Sequence, residues 1–413
     1  MRRSLLALLL ALPLLAGCWN KMEIEEGAYV LAVGIDEGRG NSYAITVLIA
    51  RPSALAGQEG SREAGPPVII TTVEAPGLAA AINLLHAYIG RQVRFHHTQA
   101  VFVHERLARE KGLPFIDELA RFRQLRETAF LIVTREPAAD FLRRLKPGMD
   151  NNPVKFIEQL TYHSRTSGTL PAASQIASVI SLLNAQYQQP VAYYAALSAE
   201  ETGSESVSPE RESRVTAGAL PRRGGSPVEM IGAAVFRGTR MVGVLDGEEV
   251  RALLVLQNRF QGAFDAIPDP DEPGEHVIIL HLNPGRRTRF VVERLGEKPA
   301  IRAHITVEAE VVAMPSGIDY SLPDRQDDLE RAIEQHVVEN VTRLIEKTQR
   351  WKSDVAGFGR YAVSAFPTVQ AWEAYDWPSR YPEAEITFTV DVRLRRYGLT
   401  LAPTRGSEEG MQE

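Results

Sequence analysis

Residues 301–311 read IRAHITVEAEV, and residues 385–394 read EITFTVDVRL. In both stretches apolar and polar side chains alternate with period two. That pattern predicts strands with one buried and one wet face, as in an antiparallel sheet. Between them, Leu329, Ile333, Val337, Val341, Leu344 and Ile345 recur at helical spacing. They predict an amphipathic helix from about Asp327 to Arg350 whose remaining face is charged. One long helix lying on one face of an antiparallel sheet is an α+β arrangement, so the fold class is mixed α/β. Val277–Leu282 and Arg289–Glu293 are further strand candidates in the same unit, expected to span residues 269–402. Residues 403–413 are polar and read as a tail.

Upstream the period changes repeatedly. Tyr29–Ile35 reads as a buried strand, and Tyr43–Ala50 follows it across a polar turn, which is a hairpin signal. Val68–Val73 is a third strand. Leu78, Ala81, Ile82, Leu85 and Ile89 then share one helical face, bounded by Gly77 and Gly90. Strand character returns at Ala100–Val103, Ala129–Val133 and Pro190–Leu197. Helical character appears at Leu113–Leu125, Ala138–Leu145, Pro153–His163 and Ala172–Gln186. Strand–helix alternation of this kind predicts a layered domain over residues 18–198.

Residues 199–227 are dense in Ser, Glu, Gly, Arg and Pro and nearly lack large apolar side chains. Such a segment buries too little to offset its ordering cost, and reads as a linker or a long surface excursion. Residues 228–268 read as a small middle unit. It holds a hairpin of Ile231–Phe236 with Met241–Leu245, then a short helix capped by Asp246. A unit so small must pack on a neighbour or on strands of the preceding region.

The first eighteen residues carry the sharpest chemistry. Arg2 and Arg3 form a basic start, Leu5–Leu15 an apolar run, and Leu15-Ala16-Gly17-Cys18 a lipobox. Cys18 is the single cysteine in the chain. Its thiol is the nucleophile that would take a diacylglyceryl group, with residues 1–17 removed as a signal peptide. The apolar run is too short for a spanning helix, which needs about 20 residues. Two or more acyl chains give stable anchoring, so the mature chain is expected on a membrane, outside the cytoplasm. A signal peptide with a chance cysteine, or a signal anchor, is the plainer reading.

Composition narrows the function further. The net charge is −6, which argues against a nucleic-acid binder and against a polybasic membrane surface. A lone cysteine allows no intramolecular disulfide. Gly357-Phe358-Gly359-Arg360-Tyr361-Ala362 formally matches a dinucleotide-binding fingerprint, but a charged helix precedes it where a strand is required. Its glycines are expected to serve a tight turn. His96 and His97 are adjacent and point to opposite faces of a strand, so with His86 and His104 they read as ordinary histidines and no metal site is expected. No Gly-x-Ser-x-Gly elbow and no P-loop occurs, and neither an enzyme nor a cofactor is expected. Asp36, at a strand end, is expected to cap a turn. Trp351, Trp372, Trp377, Tyr375, Tyr381, Phe358 and Phe366 cluster after the long helix. They read as a core cap under a loop, with an exposed partner interface as the rival.

Several of these stretches, in this order, resemble the Ger(x)C lipoprotein family, the C subunits of spore nutrient germinant receptors. Cys18-Trp19-Asn20-Lys21-Met22-Glu23-Ile24-Glu25 is similar to the family's opening, with Asn20 in place of its usual acid. Val33-Gly34-Ile35-Asp36 resembles its Gly-Ile-Asp strand end, and Phe95–Val103 the strand after its first helix. Ala233–Phe236 with Val242–Glu249 resembles its hairpin. Ser353–Arg360 is similar to its Asp-x-x-Gly-x-Gly signature, followed by Trp377, Tyr381-Pro382 and Val390–Gly398. The resemblance implies three mixed α/β domains in a non-enzymatic lipoprotein on the outer face of the spore's inner membrane. It implies partnership with an A-type and a B-type membrane subunit, the B type sensing the nutrient. Trp19, Gly34, Asp36, Asp354, Gly357, Gly359 and Arg360 are then expected to be structural, and Cys18 to carry the lipid. The lipid would raise the chain's effective concentration beside its partners and so support assembly and signalling. Two rival classes are a solute-binding lipoprotein that captures the germinant between domains, and a tethered hydrolase of the spore wall.

Overall fold

A computed structural model describes residues 26–51, 68–145, 153–198, 214–220, 222 and 224–396. Cys18, Trp19 and the rest of the first 25 residues lie outside the described residues, as do 199–213 and 397–413.

The chain opens as an antiparallel meander of β1 (Gly27–Glu37), β2 (Tyr43–Ala50) and β3 (Val68–Ala75). Helix α1 (Leu78–Ile89) then leads through β4 (Gln92–Arg94) to β5 (Ala100–His104), α2 (Glu105–Glu110) and α3 (Ile116–Arg121). After these come β6 (Phe130–Thr134), α4 (Ala138–Arg144), α5 (Pro153–Thr166), α6 (Ile176–Ala185) and β7 (Val191–Leu197). Strands β1, β5, β6 and β7 run parallel to one another. Their runs, such as Ala100–Val103 and Leu131–Val133, are apolar at every position because helices cover both faces. On one face α4 and α5 bury Phe141, Leu142 and Ile157 against Phe102 and Ile132. On the other, α1, α2, α3 and α6 bury Leu85, Leu107, Leu119 and Val179 against Val33, Val101 and Leu131.

The hairpin of β8 (Val228–Arg237) and β9 (Arg240–Leu245) is present, and it continues this first sheet beyond β7. The described end of the 199–227 stretch packs beside it. Buried Glu229 accepts the amide of Gly218 at 2.6 Å and the Arg222 side chain at 2.9 Å. Helix α7 (Gly247–Leu256) follows. Asp246 caps it as expected, in a full capping box with Glu249.

The second sheet contains β10 (Ala263–Pro268), β11 (Val277–Pro284), β12 (Arg289–Arg294), β13 (Ala300–Ala313) and β14 (Glu385–Arg396). Its backing helix, α8 (Pro323–Arg350), begins with proline at its first position. Three short helices precede β14: α9 (Gly359–Ala362), α10 (Val369–Tyr375) and α11 (Trp377–Arg380). The expected antiparallel sheet needs one correction. Pairing is antiparallel at β10/β11, β11/β13 and β12/β13, but β13 and β14 run parallel. Parallel neighbours need a crossover, and here α8 and residues 351–384 return the chain to the end where β13 began. Alternation alone could not reveal this, because β13 and β14 each keep one face on the helix and one in water. The buried face of this sheet, α7 and α8 share one core with Val191, Ala233 and Val235 of the first sheet.

Candidate functional site

Two motifs fix how the layers meet. In β1, Gly34 lies under α4. A Cβ there would come within 3.0 Å of Leu142 Cδ1 and 3.1 Å of Ala138 Cβ. Two residues on, Asp36 accepts the amides of Ala138 at 2.7 Å and Ala139 at 2.9 Å. Asp36 therefore caps a helix that starts 102 residues later, where α4 offers no side-chain cap of its own. Burial pushes its carboxyl up, against the lowering by the two amides. Glu118 does the same for α1, accepting from Leu78 and Ala79.

The second motif is a turn wound around Asp354, directly after α8. One carboxylate oxygen accepts from the amides of Gly357 at 2.7 Å and Phe358 at 3.1 Å. The other accepts from Gly359 at 2.8 Å and from Trp377 Nε1 at 2.9 Å. Asp354 is 3% exposed, and burial pushes its carboxyl up to about 6 despite the four donors. Gly357 has φ +84, and a Cβ on Gly359 would lie 2.5 Å from both Tyr187 O and Trp377 Nε1. The amides that a phosphate would need in a dinucleotide fold are thus occupied by the chain's own carboxylate.

Neighbouring residues tie this turn to the first sheet. Ser353 Oγ donates to Phe236 O at 2.6 Å, and Gln189 N donates to Asp354 O at 2.8 Å. Val355 O accepts from Gln188 and Gln257 at 2.9 and 2.8 Å. Trp372, Trp377, Tyr381 and Phe358 are buried in a run of ring contacts under the turn, as a core cap. Trp351 stands apart from them, packed over Gly243 of β9. Arg360 is exposed and takes no part in the Asp354 bonds.

Of the four histidines singled out in the sequence, His86 Nε2 accepts from Val93 N at 3.0 Å, His104 Nδ1 lies 3.9 Å from Asp36, and His96 and His97 are exposed. A buried ionic cluster, however, escaped the sequence reading. Glu248, Asp265 and His336 bring ligand-capable atoms within 4.8 Å of one another. Asp265 pairs with Arg251 and lies 3.2 Å from His336 Nε2. Glu248 accepts from Arg214 and Arg343, each at 2.9 Å, and Lys347 reaches Glu249 at 2.7 Å. Burial raises Asp265's carboxyl, but Arg251 and His336 outweigh it and hold it well below the carboxylate range. Asp246 is pushed up to about 6 by burial and by Glu249. Four carboxylates here face four cations, so a metal ion would have to expel guanidinium groups to bind. The cluster fastens α7 to α8 and β10. Its signal lay in α8, where His336 and Asn340 sit on the apolar stripe at helical spacing.

Both halves of this architecture match described families. Residues 20–197 match "Spore germination protein N-terminal domain", and residues 231–398 match "Spore germination B3/ GerAC like, C-terminal". The chain belongs to the Ger(x)C family. Spore germination protein KC of Bacillus subtilis (strain 168) is 26% identical over 98% of this chain and 98% of its own length. The putative spore germination protein YfkR of the same strain is 23% identical over 95% of each. The crystal structure of the GerBC protein superposes with a TM-score of 0.50 at 16% identity, covering 88% of this chain and 96% of that one. The Ger(x)C fold is shared at that level. The Gly34–Asp36 motif falls in the N-terminal match and the Asp354–Arg360 motif in the C-terminal one. Among the described residues, no helix is long and apolar enough to cross a membrane.

Proposed function

We propose that this chain is the lipid-anchored C subunit of a spore nutrient germinant receptor, and that it acts without catalysis. The observation that carries the reading is the pair of germination-family matches, which together run from residue 20 to residue 398 in the expected order. Cys18 would be acylated and would hold the chain on the outer face of the spore's inner membrane, beside A-type and B-type membrane subunits. The chain's part is mechanical. The Asp36 cap, the Asp354 turn and the Glu248–Asp265 cluster join helices and sheets into a stiff body that a membrane partner can bear against. Burying ionic groups in matched pairs favours such rigidity, because removing one partner is costly. Anchoring converts association with the membrane subunits into a local event at high effective concentration.

Complementation tests this. Spores lacking the chain are supplied with wild type, Cys18→Ala or Asp354→Ala, and loss of optical density on nutrient addition is followed. Wild type restores the response, and both variants restore it poorly. Full germination with the Cys18→Ala form, at normal protein level and with normal membrane retention, would contradict the anchored-subunit reading.

A further inference from the structure

A cleft of about 600 Å³ opens beside the Asp354 turn. One wall is the end of α5 with the start of α6, and the other is the end of α7 with residues 356–361. That volume lies within the range of small-molecule sites. Arg165, Arg259 and Arg360 line it, with four glutamines and two serines, and its lining holds no aspartate or glutamate. The arginines around Glu248 are matched by carboxylates at 2.9 Å. Among the described residues, no carboxylate pairs with any of the three in the cleft. Arg165 lies against the buried Tyr193 hydroxyl, while its Nε is buried without an acceptor.

This clustering runs against the charge of the molecule, which is −6 overall. Like charges gathered in one concavity repel, and low-dielectric walls focus their field on whatever enters. The first turn of α6 adds polar lining. Gln175, Ala177 and Ser178 face the cleft, and the N-cap Gln175 makes no side-chain cap bond. The first amides of that helix are already bonded, Ile176 N to Ala129 O at 3.0 Å and Ala177 N to Glu127 O at 2.9 Å, so the three arginines carry the positive charge of the cleft. The Arg360 side chain takes no part in the bonds around Asp354 and is exposed. Its backbone is fixed by the turn, with Arg360 N donating to Gly357 O at 3.1 Å. A planar guanidinium on a rigid support suits bidentate recognition of carboxylate or phosphate oxygens.

We propose that this cleft binds a small organic anion carrying two or more carboxylate or phosphate groups. The occupant bridges the first sheet's helices and the Asp354 turn, so its binding stiffens the junction between the two sheets. The site is independent of the lipid anchor and of any membrane partner.

Calorimetric titration of the full chain in detergent tests it, with citrate and inorganic phosphate as separate probes against sodium chloride at equal ionic strength. A saturable one-site isotherm with a Kd below about 1 mM is expected for at least one probe. A response to citrate alone assigns the carboxylate class, and to phosphate alone the phosphoryl class. The double variant Arg259→Gln/Arg360→Gln should weaken binding about tenfold or more, while Arg39→Gln, on a distant exposed turn, leaves it unchanged. Arg360→Lys keeps the charge and should fall between, which guards against a folding defect in the double variant. Absence of saturable heat with both probes, or wild-type affinity in the double variant, would overturn the proposal.

Discussion

Asp354 shows how one side chain can set a fold's joints and its pH response together. Its ordinary value of 3.8 rises to about 6 in the folded chain. A raised carboxyl contributes stability that is fully present below the unfolded value and is lost as pH rises through the folded one. Two units correspond to about 3 kcal/mol, lost between roughly pH 4 and pH 6. Asp354→Asn should remove that slope, leaving the similar share from Asp246. It should also lower stability at pH 7.5 by about 2–3 kcal/mol, since one amide oxygen cannot serve four donors. Urea midpoints at pH 4.5 and 7.5 check both effects, and an unchanged slope would count against the carboxyl's role. Asp265 works in the opposite sense. Held low, it contributes stability that is present above about pH 4 and lost below it. Asp36→Ala should cost about 1 kcal/mol by uncapping α4, read from the same denaturation curves. Part of this was legible in the residues: Gly357 and Gly359 as turn glycines, the aromatic cluster as core; Asp36, expected to cap a local turn, instead caps α4, 102 residues on, a partner no local pattern names. The carboxylate that wraps the glycines was named only through the family resemblance, and its fourth donor, Trp377, lies 23 positions away, beyond any local pattern.

At the scale of elements, β14 is an edge strand that α8 guards. Glu330 accepts the amide of Leu394 at 2.8 Å and Glu334 that of Val392 at 3.3 Å. Unpaired edge amides invite pairing with another chain, and these two carboxylates block it. Glu330→Ala/Glu334→Ala should therefore self-associate with rising concentration in sedimentation velocity, whereas Glu330→Gln/Glu334→Gln, which keeps an acceptor, should not. Glu248→Ala should cost about 3–5 kcal/mol, because Arg214 and Arg343 lose their shared partner, and thermal unfolding reads that loss. Period-two and helical spacing made β13, α8 and β14 plain in the sequence. The parallel pairing of β13 with β14 was hidden, since a strand's direction in a sheet is set by its crossover and not by its alternation. Three-residue β4 and four-residue α9 and α11 were hidden too: segments so short carry less than one or two periods of any pattern.

The whole molecule joins its two sheets through a common core, and the Asp354 turn sits where they meet. Under the function proposed above, stiffness across that junction would let the subunit transmit force or position to membrane partners, with Cys18 as its tether. The arginine-lined cleft at the same junction would let a soluble anion act on that stiffness. Co-purification of the tagged chain from detergent-solubilised spore membranes bears most directly on the account, with wild type beside Cys18→Ala. Recovery of an A-type and a B-type membrane subunit with the wild type, and less of both with Cys18→Ala, is the predicted result. Recovery of neither membrane subunit with the wild type would contradict it.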